Sequence, residues 1–350
     1  MSLPNTHRVV YLLGPEEVEM RVDPVPRPGA GELLVRIGAA TTCGTDVKVF
    51  RRGGHPRMLR VPTPFGHELA GTVVECGSGV AAWSEGDRVV VANSAPCGEC
   101  TYCRRARENL CTDLHYLNGA FAEYILVPAR FVEKNTHRLP DDVELSIGAL
   151  AEPLACVLHG ADVCDLRGDE EILIYGGGPI GLLFVGVLAS RGHRVVLADP
   201  NESRLRAGSQ LGAAVGVKIE RGGGQAERVL VDSSQSDGFD VVVEATGVPA
   251  VWVDALDSVR AGGTVNWFGG CPPGTTVPVD THRVHYSEIT LRAAYHHRPA
   301  TFTAALEVLA NSDFDAGVLL SAERPLVELE EALRSMMRKE ALKVVIQPRS

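Results

Sequence analysis

The feature that most constrains the fold is a glycine-rich turn between an apolar run and a helix-like segment. Residues 172–175 are apolar, residues 176–181 read Gly-Gly-Gly-Pro-Ile-Gly, and the helix-like stretch LLFVGVLASRG follows. A G-x-G-x-x-G turn in this setting is typical of dinucleotide binding. The first glycine permits the tight turn, the second lets backbone approach a pyrophosphate, and the third lets helix pack on strand. The predicted cofactor-binding residues of this turn are Gly176, Gly178, Pro179, Ile180 and Gly181.

An acidic residue at the end of the next apolar run predicts which dinucleotide binds. Asp199 ends the run VVLAD and lies 21 residues after Gly178. A carboxylate there accepts hydrogen bonds from the ribose hydroxyls and repels a 2′-phosphate, which favours NAD over NADP. Arg204 lies close enough to join the cofactor-binding set and leaves NADP as an alternative. A glycine-rich turn without a ligand is the other interpretation.

Apolar runs alternate with helix-like segments in the second half of the chain, as expected for a parallel sheet buried on both faces. The runs are Ile172–Tyr175, Val195–Ala198, Asp240–Ala245 and Thr264–Phe268. Helices are then expected at Pro299–Ala310 and Val327–Lys339, and a last strand at Lys343–Gln347. The first 150 residues carry shorter runs broken by Gly and Pro, which indicates a β-rich region. The chain is therefore predicted to be an α/β protein of two domains.

Charge and composition exclude several functional classes. The net charge is -10 over 350 residues, whereas a protein that binds a phosphate backbone needs a basic face. No apolar run reaches the roughly 20 residues that span a bilayer. The N-terminus lacks a basic region followed by a long apolar stretch and a small-residue cleavage site, so a cytoplasmic location is expected. We expect no nucleic-acid partner and no membrane partner.

Four of the nine cysteines crowd into residues 97–111 with the spacing C-x2-C-x2-C-x7-C. The cysteine count is odd and the chain is long, so a disulfide framework is not indicated, and such crowding favours a metal site. Four thiolates surround one Zn²⁺ tetrahedrally and leave no open position, so a structural site is predicted. Its ligands are Cys97, Cys100, Cys103 and Cys111.

Two short motifs nearer the N-terminus carry candidate ligands for a second metal ion. Cys43 lies in TCGTD, and the pair His67 and Glu68 lies in FGHEL. By themselves a cysteine and a His-Glu pair 24 residues apart indicate little. A lone buried histidine is the simpler interpretation of His67 at this point.

Taken together, these motifs resemble those of the zinc-containing medium-chain dehydrogenases. CGTD, GHE, the four-cysteine segment, EPLACVLHG and GGGPIG occur in the family's order and spacing, and the likeness runs along essentially the whole chain. The sequence is most similar to the sorbitol (iditol) and threonine dehydrogenase branch, because Glu68 follows His67 and Glu152 precedes Pro153. The resemblance implies a GroES-like β-rich catalytic domain and a Rossmann domain with a doubly wound parallel sheet.

The same resemblance implies domain boundaries. Residues 1–153 would form the catalytic domain, with the structural-zinc lobe at about 93–115. Residues 154–294 would form the Rossmann NAD-binding domain, and residues 295–350 a C-terminal segment that returns to the catalytic domain.

The resemblance also implies how a catalytic zinc ion is held. Cys43 and His67 are implied ligands, and Glu68 is implied to ligate directly or through water. Glu152 stands where other members of the family have a second cysteine, and it is implied as a ligand or an outer-shell partner. A buried salt-bridge partner stays an alternative for each glutamate. Asp46 is implied to orient a zinc ligand through a hydrogen bond.

Thr45 is implied to pass the hydroxyl proton of the substrate away from the zinc ion, with a turn hydroxyl as the alternative. Relatives often carry a histidine two residues after the aspartate of CGTD, but this chain has Lys48 there, which puts the usual proton route in doubt. His55 is either a replacement for that histidine or an exposed loop histidine.

Other cofactor contacts are implied further along the chain. Thr246 lies in a turn that lines the cofactor cleft in relatives, and Lys343 matches a position where a cation meets the pyrophosphate. His296 and His297 align with a loop that reaches the nicotinamide, with surface histidines as the alternative.

The sequence thus predicts a zinc-dependent oxidoreductase that transfers a hydride between a secondary alcohol and NAD⁺, giving the ketone. A polyol, sugar alcohol or cyclitol is the favoured substrate. The alternatives are an amino-alcohol dehydrogenase of the threonine type and a non-catalytic NAD-binding protein of the same fold. The predicted cofactors are NAD and two Zn²⁺ ions, one catalytic and one structural, and a homodimer or homotetramer is implied, paired through an edge strand near residues 290–294.

Overall fold

Residues 3–311 and 313–349 are described by the computed structural model, and they form two units with separate hydrophobic cores. The first unit comprises the chain up to Ala155, the segment Arg298–Asn311 and the chain from Leu320 onwards. The second unit comprises Cys156–His297 and the short segment that ends at Leu319.

The strands, in chain order, are β1 (Thr6–Gly14), β2 (Glu17–Pro24), β3 (Leu33–Thr41), β4 (Thr63–Pro64), β5 (Leu69–Cys76), β6 (Arg88–Val91), β7 (Ser94–Ala95), β8 (His115–Tyr116), β9 (Tyr124–Val127), β10 (Thr136–Arg138), β11 (Glu171–Tyr175), β12 (Arg194–Asp199), β13 (Val215–Lys218), β14 (Phe239–Glu244), β15 (Val259–Trp267), β16 (Thr290–Arg292), β17 (Leu320–Pro325) and β18 (Lys343–Gln347). The α-helices are α1 (Gly44–Arg52), α2 (Ala129–Lys134), α3 (Leu145–Gly148), α4 (Ala151–Asp162), α5 (Pro179–Ser190), α6 (Glu202–Gln210), α7 (Ala226–Asp232), α8 (Pro249–Ser258), α9 (Thr281–Tyr286), α10 (Pro299–Asn311) and α11 (Leu329–Met337). Short 3-10 turns lie at Cys103–Arg105, Glu108–Leu110, Ala316–Leu319 and Leu326–Glu328.

The first unit is built around a mainly antiparallel sheet of order β10-β6-β5-β3-β18-β17, with β9 also paired to β3. Strand β3 is almost wholly buried, because it has neighbours on both edges and packs into the core. The C-terminal strand β18 pairs with the end of β3, and Val345 lies opposite Thr41. Residues that are distant in sequence therefore meet where β3 leads into α1.

The second unit contains a six-stranded parallel sheet of order β13-β12-β11-β14-β15-β16. This is the strand order of a doubly wound dinucleotide-binding sheet, and it confirms the predicted α/β class. The run Ile172–Tyr175 is fully buried in its centre, as a parallel strand covered on both faces requires. The order reverses between β11 and β14, which are neighbours.

Among the strands and helices predicted from residue 172 onwards, two elements have a boundary that differs from the prediction by more than one residue. The strand expected to begin at Thr264 begins at Val259, because the chain pairs with β14 from Phe239 onwards. The helix expected at Val327–Lys339 spans Leu329–Met337, because residues Leu326–Glu328 form a 3-10 turn before it. Over the described residues, no helix has both the length and the apolar character needed to cross a membrane.

Candidate metal and cofactor sites

Cys43 lies where β3 ends and α1 begins. As the N-cap residue it has an extended backbone, with φ -123° and ψ 155°. Its Sγ accepts a hydrogen bond from the Thr45 amide at 3.4 Å, and its own amide donates to Asp46 Oδ2 at 2.9 Å. Ser, Thr or Asp usually supplies the N-cap side chain of a helix, and here the Cys43 thiol has that role. The beginning of α1 therefore fixes the position of this sulfur.

His67 follows the glycine turn that precedes β5, and it is held by the same carboxylate. Its Nδ1 lies 2.9 Å from Asp46 Oδ1, and both side chains are at least 95% buried. A carboxylate at Nδ1 fixes the tautomer and leaves Nε2 available to a metal ion. The hydrogen bond to Asp46 that the resemblance implied is thus present. Asp46 orients Cys43 through its amide and His67 through its ring.

Glu68 is completely buried and its two carboxylate oxygens differ in their surroundings. Oε2 accepts a hydrogen bond from the Thr41 hydroxyl and forms an ion pair of 2.6 Å with Lys343 Nζ. Oε1 is buried and has no hydrogen-bond partner among the described residues. A buried oxygen without a partner is costly, and a metal ion beside it would remove that cost.

The ligand atoms of Cys43, His67 and Glu68 all lie within 4.8 Å of one another. A thiolate, an imidazole and a carboxylate are the ligand types that zinc takes in catalytic sites, and three protein ligands leave one position open. This donor set and the unpartnered Oε1 fit a zinc ion.

Glu152, near the start of α4, is buried and lies outside the group of three. Burial raises the pKa of Glu152 to about 7, although the nearby His67 lowers it in part. Burial and then the Glu68 carboxylate also raise the pKa of the Cys43 thiol. For His67, burial lowers the pKa, but Asp46 and Cys43 together outweigh it and hold the pKa well above the usual value.

The four-cysteine segment forms a second group, which we call the zinc lobe (residues 97–111). Four of the sulfur pairs among Cys97, Cys100, Cys103 and Cys111 are separated by 3.5 to 3.9 Å. A zinc ion with Zn–S bonds of about 2.3 Å needs sulfur separations of about 3.8 Å. Backbone amides also point at these sulfurs, such as Cys100 to Cys97 at 3.3 Å. The four thiols therefore fit one tetrahedral zinc ion.

The glycine turn of the second unit connects β11 to α5. Gly176 has φ +101°, which an L side chain rarely adopts. Gly178 is the N-cap of α5 and Pro179 its first residue, with Ile180 next and open space where a Gly178 side chain would lie. A Cβ at Gly181 would overlap the carbonyl oxygen of Gly176. The turn is shaped as a close approach of backbone to a phosphate requires.

Asp199 ends β12 beside this turn and is 3% exposed. Its Oδ2 accepts from the Gly177 amide at 2.7 Å, and its Oδ1 accepts from the Asn201 amide at 2.8 Å. Arg204 Nη1 lies 3.9 Å from Asp199 Oδ2. The acidic residue is thus fixed next to the glycine turn, and Arg204 lies next to it.

Three further residues named from the sequence lie just after β14 and along α1. Thr246 follows β14, and its amide donates to Glu244 at 2.7 Å. Thr45 is half-buried in the first turn of α1, and Lys48 is exposed on the same helix.

The exposure of the histidines can be compared with the surface positions that the sequence left open for them. His55 is half-buried, and its Nδ1 accepts from the amides of Arg57 and Met58, so the interpretation as an exposed loop histidine was wrong. His297 is 1% exposed, which also contradicts a surface position, and its ring lies 4.0 Å from that of the half-buried His296. The roles proposed for these histidines stay predictions.

Sequence reasoning missed two partners of the buried metal group. Thr41 was not singled out, and Lys343 was expected at a pyrophosphate but is 1% exposed and paired with Glu68. The pyrophosphate contact stays a prediction. A lysine within the apolar C-terminal strand is the one signal that could have suggested a buried ion pair, because an unpaired lysine is almost never buried.

Two family profiles match the chain. One, described as an alcohol dehydrogenase GroES-like domain, matches residues 29–141, and the other, described as a zinc-binding dehydrogenase, matches residues 179–311. The β-rich first unit and the doubly wound second unit carry these two matches, so the predicted combination of a GroES-like and a Rossmann domain is confirmed.

Individual proteins are similar over nearly the full length. The L-threonine 3-dehydrogenase of Idiomarina loihiensis is 31% identical over 92% of this chain and 93% of its own. A Sinorhizobium meliloti protein described as a zinc-binding dehydrogenase bound to NADP has a TM-score of 0.90 and 29% identity, covering 99% of this chain and 100% of its own. An alcohol dehydrogenase from Thermus sp. ATN1 has a TM-score of 0.88 and 28% identity, covering 98% and 100%.

Proposed function

Because the chain belongs to the zinc-containing medium-chain alcohol dehydrogenase family, we propose that it oxidises a secondary alcohol to the ketone with NAD⁺. The observation that carries the proposal is the group of half-buried Cys43 and buried His67 and Glu68, which we call the buried group and whose ligand atoms lie within 4.8 Å of one another. When bound there, zinc supplies a Lewis acid for the substrate hydroxyl, and the nicotinamide supplies the hydride acceptor.

The side chains around the group hold it in one arrangement. Asp46 fixes the Nδ1 side of the His67 ring and the amide of Cys43. Thr41 and Lys343 occupy Oε2 of Glu68 and leave Oε1 free to ligate. The Lys343 ammonium also offsets the negative charge of the thiolate and carboxylate. These contacts keep the ligands ready before substrate arrives.

Proton removal is assigned to two residues near the metal group. Thr45 is half-buried and its amide donates to Cys43 Sγ at 3.4 Å, so we assign its hydroxyl to relay the proton of the substrate hydroxyl onward, accepting that proton and donating its own away from the metal. Glu152 has a pKa raised to about 7 by burial, so it can exchange a proton near neutral pH. We assign Thr45 to proton transfer and Glu152 to a position beside the metal, where it ligates or accepts a proton.

The substrate we propose is an amino alcohol of the threonine type. A polyol, which the sequence favoured, has less support than this alternative, because several relatives at 30 to 31% identity are L-threonine 3-dehydrogenases. Both substrate classes present a secondary hydroxyl beside a second polar group, which explains why the motifs alone did not separate them.

We propose NAD as the preferred dinucleotide. Asp199 lies beside the glycine turn with both oxygens fixed by backbone amides, where its charge would repel a 2′-phosphate. Arg204, at 3.9 Å from Asp199, is the residue that could instead attract that phosphate. We further propose a homodimer paired through β16, the edge strand of the parallel sheet.

A substrate panel tests the proposal. The zinc-loaded protein is assayed with L-threonine, sorbitol, myo-inositol and 2-butanol, each with NAD⁺ and with NADP⁺. We expect kcat/KM to be at least about tenfold higher for L-threonine than for the polyols, since binding the amino and carboxylate groups contributes more than about 1.4 kcal/mol. A higher value for a polyol would instead support the substrate class that the sequence favoured. No oxidation of any alcohol, despite NAD binding, favours a non-catalytic protein of this fold.

A further inference from the structure

A buried carboxylate ends the central strand β14, and the proposed chemistry does not use it. Glu244 is 0% exposed. Its Oε1 accepts hydrogen bonds from the Thr246 amide at 2.7 Å, from the Thr246 hydroxyl, and from the Gly247 amide at 3.0 Å. One side chain thus satisfies three donors of the turn that follows its own strand.

The same residue connects this turn to the next strand. The Glu244 carbonyl accepts from the amides of Phe268 and Gly269 at 3.0 and 2.8 Å. A Cβ at Gly269 would lie 2.6 Å from Glu244 Oε2, so only glycine lets the two loops approach this closely. The Trp252 indole donates to the Gly269 carbonyl at 3.0 Å. The ends of β14 and β15 are therefore joined at Glu244.

The turn held by Glu244 faces the glycine turn of the dinucleotide site. A Cβ at Gly176 would lie 2.7 Å from the Thr246 methyl carbon, so the Thr246 side chain packs against the first glycine of the motif. Gly176 follows β11 and the Thr246 turn follows β14, the two strands between which the sheet order reverses. Ligands of doubly wound sheets bind outside the carboxyl ends of the strands at this reversal.

Glu244 closes this turn with a buried carboxylate, and removing a carboxylate from water costs free energy. Burial raises the pKa of Glu244, while hydrogen bonds from Thr246 and Gly247 lower it in part. Among the described residues no cation forms a salt bridge with it. Buried carboxylates without a cation are disfavoured unless their hydrogen bonds are satisfied, and here the donors of Thr246 and Gly247 satisfy them, so the carboxylate and the turn depend on each other.

We infer that Glu244 is a positioning residue for the dinucleotide. It holds Thr246 and Gly247 against Gly176 and so sets the spacing of the two loops between which the cofactor binds. The inference rests on the proposed function, because it presumes a dinucleotide at the glycine turn. Glu244 acts through Thr246 and Gly247 and need not touch the cofactor.

The test is NAD affinity in matched variants of the full-length, zinc-loaded protein. Trp252 and Trp267 are stacked at 4.7 Å beside this turn, so their fluorescence quenching by NAD⁺ gives a Kd. Glu244→Gln is expected to weaken NAD⁺ binding at least about tenfold. The KM for the alcohol at saturating NAD⁺ is expected to stay within about twofold. Glu227→Gln, an exposed site in α7 with the same change of charge, is expected to match the wild type.

A second pair of variants covers the case in which Glu244→Gln fails to fold. Thr246→Val keeps the branched shape at Gly176 but loses the hydroxyl that donates to Glu244, and it is expected to weaken NAD⁺ binding about threefold or more. Thr246→Ser keeps the hydroxyl but loses the methyl group that packs on Gly176, so it measures the contribution of that packing separately. A folded Glu244→Gln protein with the Kd of Glu227→Gln, or a Thr246→Val protein that binds NAD⁺ as tightly as the wild type, overturns the inference. Absence of NAD⁺ binding in the wild type, checked by titration calorimetry, overturns the proposed function itself, and this inference with it.

Discussion

The zinc lobe and the buried group of Cys43, His67 and Glu68 are constructed in different ways. The zinc lobe takes all four sulfurs from 15 consecutive residues, and three of its cysteines are half-buried. The buried group takes Cys43 from the junction of β3 and α1 and takes His67 and Glu68 from the segment before β5, and a third segment, β18, supplies Lys343. In the lobe, the side-chain atoms that face the ion site are all ligands. In the buried group they are a mixture of ligands and supports.

We propose that this difference distinguishes a structural zinc site, in the lobe, from a catalytic one, in the buried group. Four thiolates fill a tetrahedral shell, so an ion there has no position for a substrate and contributes to folding. Three ligands of three kinds leave a position open, and their geometry has to be maintained by neighbours such as Asp46 and Thr41. The lobe can therefore assemble from local sequence alone, whereas the buried group requires the completed sheet.

The largest effect is expected from removing a ligand of the buried group. In Cys43→Ala we expect kcat/KM to fall about 10³-fold or more, because Lewis-acid stabilisation is worth several kcal/mol and each step of about 1.4 kcal/mol is a factor of ten. Zinc content measured by atomic emission should fall from about two to about one per chain, with the lobe still loaded. Cys76→Ser, a cysteine of β5 outside both groups, serves as the control. Full activity in a Cys43→Ala protein that has lost one zinc contradicts the proposed division of roles.

Cys103→Ser should produce the opposite pattern. Cys103 is the buried cysteine of the lobe, and without it the remaining thiols no longer close the shell. We expect the loss of one zinc per chain and a fall in Tm of about 5 °C or more. Activity per folded molecule, assayed well below the Tm, should stay within about threefold of the wild type. Immediate loss of activity with an unchanged Tm would assign the catalytic role to the lobe.

An intermediate effect is expected at Asp46, which supports ligands without being one. Asp46→Asn keeps the shape but can present a donor to His67 Nδ1 in place of the carboxylate, so we expect zinc affinity and kcat/KM to fall about 10- to 100-fold. Competition with a chromophoric chelator measures the affinity, and the visible spectrum of the cobalt-substituted protein reports the ligand geometry. An unaltered cobalt spectrum together with unaltered affinity would show that Asp46 has only a capping role in α1.

The same comparison explains which features the sequence could predict. The lobe and the glycine turn are local motifs whose spacing determines their geometry, so the residue order alone was enough to assign Cys97 to Cys111 and Gly176 to Gly181. The parallel sheet followed from runs such as Ile172–Tyr175, because burial on both faces leaves only apolar residues there.

The buried group could be named only through its resemblance to a family. Nothing local links His67 to Cys43, and the Lys343–Glu68 pair spans 275 residues of sequence. Such a pair depends on β18 lying beside β3, a long-range pairing that hydrophobic periodicity does not specify. The burial of His297, which is 1% exposed, was likewise not predicted from the sequence of its loop.

The smallest effect is expected from the ion pair next to the lobe. This variant tests whether side chains other than the four cysteines affect how firmly the lobe holds zinc. Arg130 Nη2 lies 2.8 Å from Asp113 Oδ2, and the Asp113 amide donates to Cys111 Sγ at 3.4 Å. The arrangement parallels Asp46 beside Cys43, but these side chains are 31% and 55% exposed, and exposed ion pairs are screened and contribute little. For Arg130→Gln we expect an unchanged zinc content and a rate of zinc release to a chelator within about twofold of the wild type. A tenfold faster release would show that the lobe, like the buried group, depends on side chains outside its four ligands.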